Sequence, residues 1–111
     1  MSEQSMEALM LANRVRLVRA QVRRAVEAMP RREGRLKVAE ILHNLEDHPD
    51  LYGWECRHLL CALPRVGEQR ARRALSAVGA SWRRELGELT PRQVHELEED
   101  VVGDSGRLWS R

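Results

Sequence analysis

Residues 59–75 read LLCALPRVGEQRARRAL. Apolar residues at 59, 60 and 63 recur with helical spacing, and Ala71, Ala74 and Leu75 do the same beyond the interruption. Pro64 ends the first of these helices, because a proline disfavours the α conformation in the residue before it. Gly67 is then expected to supply a backbone angle that residues with a Cβ resist. With Gly67 as cap, Val66 precedes it and Ala71 lies four residues in, the spacing of a hydrophobic staple that fixes the entry angle. The stretch therefore reads as two helices joined by a tight hairpin, and the rest of the chain is read outward from it.

Toward the N-terminus, residues 5–29 contain no Gly or Pro and form one long expected helix. Leu11, Val15, Val18, Val22, Val26 and Met29 make its apolar stripe, and Arg16, Arg19 and Arg23 share an adjacent face and are counted among the expected DNA-binding residues. Pro30 stops the pattern, and residues 31–35, with Gly34, read as a polar connector. Residues 37–45 (KVAEILHNL) predict a short helix and residues 46–52 (EDHPDLY) a loop, followed by a third helix over 54–63 and a fourth over 68–78. Gly79 falls where a left-handed cap is expected. Residues 81–85 could close a single turn. Thr90, Pro91 and Gln93 then form a capping box with proline at the first helical position, opening a helix that runs to about Val101. The expected fold is all-α: a long N-terminal helix over 1–30, a small helical domain over 31–102 and a flexible tail over 103–111. No β alternation, internal repeat or sustained heptad is visible, so the chain is read as a monomer without a coiled-coil seam.

At 111 residues the chain supports one core, built from aliphatic side chains because it has no Phe and only four aromatic residues. No apolar run approaches the roughly 20 residues of a membrane span, and the chain is read as cytoplasmic. Cys56 and Cys61 lie five apart on poorly matched helix faces, so two reduced, half-buried thiols are expected rather than a disulfide. The order His43, His48, Cys56, Cys61 does not match metal-ligand spacing, and neither metal nor cofactor is expected. Lys37 is the only lysine and has no obvious acid beside it, so an amine-nucleophile enzyme has no support and no enzymatic activity is expected. Trp82 sits inside a basic segment, where it either packs at a DNA surface or, the preferred reading, caps the core, and His43 and His58 read as surface or boundary residues.

The net charge of +2 conceals strong segregation. Residues 1–39 carry nine basic and four acidic groups, 40–55 five acids and no Lys or Arg, 56–84 seven bases against one acid, and 85–104 one base against seven acids. Such blocks predict a basic side and an acidic side on the folded molecule. At the hairpin, the amides of Val66, Gly67 and Glu68 would be bared at a positive helix N-terminus, a natural seat for phosphate. Arg65 would stand beside it, Arg70 and Arg73 would line the next helix, and Arg83 and Arg84 could reach the same side. The expected partner is duplex DNA held by its backbone. The competing expectation is a basic helical adaptor or regulator that binds an acidic protein surface.

The ordered set VAEIL, acidic loop, LLCALPRVG, Ala71-X-X-Ala74, Gly79 to Ser81 and Arg92-Gln93 resembles the helix-two-turns-helix segment of the actinobacterial integration host factors, small nucleoid-associated proteins. The similarity runs without gaps over about residues 38–97. It implies a long N-terminal helix on a helical domain, DNA binding with little sequence preference, DNA bending or compaction, location in the nucleoid, and assistance to site-specific recombination alongside a phage integrase. It also implies Val66 and Gly67 as backbone phosphate contacts, with Arg70, Ser81, Arg84 and Gln93 at matching positions. Glu68 departs from the family, which has a basic residue directly after the turn glycine. Glu85 departs too, within a run that is more basic in the family.

Overall fold

The computed structural model describes residues 2–103, 108 and 109. Among these the fold is all-α: α1 (Glu3–Ala28), α2 (Arg31–His43), α3 (Cys56–Cys61), α4 (Glu68–Ala77) and α5 (Pro91–Val102), with short 3₁₀ turns at Leu45–Asp47, Pro49–Leu51 and Leu86–Glu88. Among the described residues no helix is long and apolar enough to cross a membrane. The one extended pairing is a bridge between Glu55 and Glu85, flanked by Cys56 donating to the Arg84 carbonyl (2.9 Å) and Leu86 donating to that of Trp54 (2.9 Å). It ties the start of α3 to the segment after α4.

The core is aliphatic, as expected: Ile41, Leu42, Leu51, Leu59, Leu60, Leu75, Leu86 and Leu97 are almost wholly buried, with Trp54 at its edge. α2 and α5 pack along each other, α1 lies across α2 and the Pro49–Leu51 turn, and α3 and α4 form the hairpin.

The long first helix forms, but its apolar stripe is only partly used. Val26 is buried and Val18 and Val22 pack against the core, whereas Leu11 is 56% exposed. At 1.5 Å per residue, 26 residues span about 39 Å. The domain is shorter than that, and every residue from 2 to 14 is exposed.

The connector expected over 31–35 is instead the first part of α2. Gly34 does not break this helix; its amide donates to the Pro30 carbonyl (2.9 Å), and a Cβ there would meet the Val26 carbonyl oxygen at 3.4 Å. The glycine marks the close approach of α2 to α1. The hairpin also corrects an expectation. Gly67 is extended (φ −92°), an ordinary angle for any residue, and the left-handed residue of the turn is Arg65 (φ 68°). Gly79 does take the left-handed angle (φ 79°). Gly79 and Ala80 donate to the Ser76 and Leu75 carbonyls (3.0 and 2.9 Å), the paired bonds of a Schellman cap. Both halves of the Thr90–Gln93 capping box are present.

The two cysteines are free but unlike. Cys56 is fully buried, and burial pushes its thiol up to about 12, with Cys61 adding to the rise; Cys61 itself is exposed. The expectation of two half-buried thiols fails because α3 is only six residues long and turns one flank fully inward. Part of the expected flexible tail is docked: Leu108 is fully buried, and the Trp109 indole N–H donates to the Val101 carbonyl (3.0 Å). The rest of that tail, 104–107 and 110–111, lies outside the described residues.

Candidate nucleic-acid interface

α4 begins at Gly67, whose cap has no side-chain hydrogen bond. Helix geometry leaves the amides of Gly67, Glu68, Gln69 and Arg70 without intrahelical acceptors. Two of the three amides expected to form the cradle, those of Gly67 and Glu68, are therefore open. The third is not, because the Val66 amide donates to the Leu63 carbonyl (3.2 Å) and the Val66 side chain is buried. Glu68 places its own carboxylate in the first turn of α4, where Arg72 holds it at 2.8 Å.

The arginines expected around this turn divide between two flanks. Arg70 and Arg72 are 200° apart on α4 at 100° per residue. Arg70 donates to the Leu108 carbonyl (3.1 Å) and so faces the docked chain end, with exposed Arg73 on the same flank. Arg72 faces the other way and lies over Trp82. Arg65 is exposed at the left-handed corner. Gln93 is not a surface group. It is 7% exposed, its side chain caps Thr90, and its Nε2 donates to the Val78 carbonyl (3.2 Å).

A second arrangement gathers more charge. Trp82, half-buried, has the Arg72 guanidinium carbon 4.3 Å and the Arg57 guanidinium carbon 5.1 Å from its ring centroid. Two cations from α3 and α4 thus converge on one indole. Arg57 also pairs with Glu55 (3.0 Å). Arg72, Ser76, Gly79, Ser81, Trp82 and Arg84 line one shallow depression, and exposed Arg83 follows the ring in sequence. The Arg84 Nε is buried with no hydrogen-bond partner among the described residues.

On the other side of α3, the Trp54 and His58 rings stack 6.3 Å apart at 14°. Arg16, Arg19, Ala20 and Arg23 of α1 line a groove with Trp54, and the Arg19 Nε is likewise buried without a partner. The His58 pKa is lowered, first by partial burial and then by Arg57; Glu55 opposes this, and Arg23 and Arg19 add to it. One band therefore runs from Arg16, Arg19 and Arg23 across Trp54 and His58 to Arg57, Trp82, Arg72 and Arg84. Opposite charges collect where α2 meets α5, with His43 paired to Glu98 (3.3 Å) and Glu46 and His95 beside them. Among the described residues no three His, Cys, Asp or Glu side chains gather as a metal site.

Of the residues expected to bind DNA, Arg16, Arg19, Arg23, Ser81, Arg83 and Arg84 lie in or beside this band, whereas Arg57 and His58 were not among them. Arg57 and His58 carried no signal beyond membership of a basic block. Trp82, directly before two arginines, carried both readings, a place at the DNA surface and a cap on the core, and the core cap was preferred. Compared with known proteins, the chain matches no family, no curated relative and no solved structure.

Proposed function

We propose that this protein binds the phosphate backbone of duplex DNA through the band centred on Trp82, in the manner of a nucleoid-associated protein of integration-host-factor type. The observation that carries the reading is the convergence of arginines from α1, α3, α4 and the segment after α4 around Trp54 and Trp82. Guanidinium groups match phosphate in a planar, two-bonded way, and their stacking on indoles fixes their direction without neutralising them. Many of the acidic groups cluster around α5, away from the band, whereas Glu55 and Glu68 lie within it, paired with Arg57 and Arg72, and phosphate has to displace them. Phosphate contacts position a protein on DNA and carry no sequence information, so little sequence preference follows. A band that crosses from a projecting helix to a globular domain presents a non-planar surface, which favours a bent duplex. The resemblance over residues 38–97 supports the same reading and extends it to DNA compaction and to assistance of an integrase in site-specific recombination.

Fluorescence anisotropy with a labelled random duplex tests this. For about five neutralised phosphates, log Kobs against log salt has a slope of roughly −4 to −5. Changing Arg57 and Arg72 together to Ala flattens it by about 2, one for each lost contact. Parallel titrations with single-stranded DNA and duplex RNA fix the nucleic-acid class. No binding at low salt overturns the reading in favour of an adaptor for an acidic protein surface.

A further inference from the structure

Five of the large apolar side chains that stay exposed, Met6, Leu9, Met10, Leu11 and Leu17, lie between residues 6 and 17 of α1 at 51–67% exposure. Residues 3–14 form a free-standing helical arm of about 18 Å at 1.5 Å per residue. An isolated helix of about 12 residues is marginal in water. This one also leaves apolar surface uncovered.

Three of the five share one line. Met6, Met10 and Leu17, with the polar Asn13 and with Ala20, follow one another at spacings of 4, 3, 4 and 3, the alternation of a coiled-coil seam, while Leu9 and Leu11 lie to either side. At 100° per residue, Met6, Met10 and Leu17 fall within about 40° of one another. They point about 160° away from Val22 and Val26, which hold the helix to the domain. The seam is thus open to a partner without disturbing the core. It is too short to stand out as a sustained heptad in the sequence, and its exposure is visible only once the domain is seen to end before the helix does.

We infer that the stretch between residues 6 and 17 of α1 docks a second copy of this chain, packed antiparallel across a two-fold axis. The charge distribution selects that occupant. Glu3 and Glu7 lie in the first turns, whereas Arg14, Arg16, Arg19, Arg23 and Arg24 follow. A parallel pair sets acid on acid and arginine on arginine. An antiparallel pair with Met6 against the partner's Leu17 sets Met10 against the partner's Asn13. It also brings Glu7 to the flank of the partner's Arg14. Arg14 is already pre-ordered by Asp50 (3.1 Å) yet remains 66% exposed, so it can bridge both carboxylates. The two Asn13 amides fall near the axis, where a polar group fixes register. The overlap covers about 18 residues, or about 27 Å. So short an overlap makes a weak dimer, to be looked for at dissociation constants of about 10–100 µM. This inference does not rest on the DNA reading.

Sedimentation velocity of the full chain over about 1–300 µM tests it. The weight-average mass should rise from 12.8 kDa toward twice that value. The Met10→Asp, Leu17→Asp double variant should stay monomeric with an unchanged melting temperature, since both positions are exposed. A wild type that is still monomeric at the top of the range overturns the proposal, as does a double variant that associates like wild type. Orientation is tested in a Cys61→Ser background by mixing Met6→Cys and Leu17→Cys chains under mild oxidation. Predominantly mixed disulfides support the antiparallel pair, and predominantly Met6→Cys homodimers overturn it.

Discussion

The Arg72 guanidinium carbon stands 4.3 Å from the centroid of the Trp82 ring, closer than Arg57 at 5.1 Å. Each such contact is worth about 0.5–1 kcal/mol at an exposed site. Its larger effect is on direction, because two flexible side chains from different helices are held toward one place. Trp82→Ala frees both. Duplex affinity should fall about tenfold, or about 1.4 kcal/mol. Stability should fall by only about 1–2 kcal/mol, since the ring is half-exposed. Trp82→Phe should retain most of the affinity. Anisotropy titrations paired with urea melts separate the two effects, and wild-type affinity in Trp82→Ala would remove the ring from the interface.

His58 lies in the same band with its pKa lowered by burial and by Arg57. In the free protein, a folded pKa below the unfolded one means that stability is full above the unfolded value, near 6.5, and falls as pH drops through the folded one. A bound polyanion supplies negative charge beside the ring and raises its pKa, so the complex takes up a proton. Duplex affinity should therefore rise as pH falls from 7.5 to 5.5, by about threefold and never more than tenfold per pH unit for one proton. His58→Ala should remove the dependence. NMR titration of the His58 ring with and without duplex gives the shift directly, and identical titrations would place His58 outside the interface.

Much of the fold was legible because the signals were local. The Thr90–Gln93 box, Gly79 as a left-handed cap and the apolar spacing of α4 each depend on a few adjacent residues. The start of α2 was not, because Gly34 reads as a breaker unless Val26 is known to lie against it. The site was legible in its charge blocks but not in its centre. Which of Arg70 and Arg72 is turned toward the proposed interface depends on the flank of α4 that Leu108, 36 residues beyond Arg72, covers. Gln93 was misassigned for a related reason, since the Val78 carbonyl that it satisfies becomes its neighbour only when α4 and α5 pack.

The hairpin makes a sharper stability test than either residue type suggests. Arg65 holds a left-handed angle that costs a residue with a Cβ about 1–2 kcal/mol, whereas Gly67 is extended with nothing within 4 Å of a built Cβ. Gly67→Ala should cost about 0.5–1 kcal/mol, since glycine is preferred to alanine at an N-cap. Arg65→Val should destabilise by about 1–2 kcal/mol, because a β-branched residue fits that region worst, and Arg65→Gly should be neutral or stabilising by up to about 1 kcal/mol. Urea unfolding of the three variants ranks them. A Gly67→Ala more harmful than Arg65→Val would return the left-handed corner to the glycine.

The chain end should behave as core. Leu108 is fully buried, its carbonyl accepts from Arg70 (3.1 Å), and the adjacent Trp109 is covered by the Arg35 guanidinium at 3.7 Å while bonding the Val101 carbonyl. Truncating a buried leucine costs its transfer energy plus that of the cavity, so Leu108→Ala should lose about 2–4 kcal/mol. Nearby Val102 is 47% exposed, and Val102→Ala should lose less than about 0.5 kcal/mol. Arg70→Ala deletes a donor to a buried carbonyl and should lose about 1–2 kcal/mol. If Arg70 served DNA directly, its removal would flatten the salt slope and leave the urea midpoint alone. Its contact with Leu108 predicts the reverse, a lowered midpoint with the slope kept, and the two measurements on one variant decide which flank of α4 meets the phosphates.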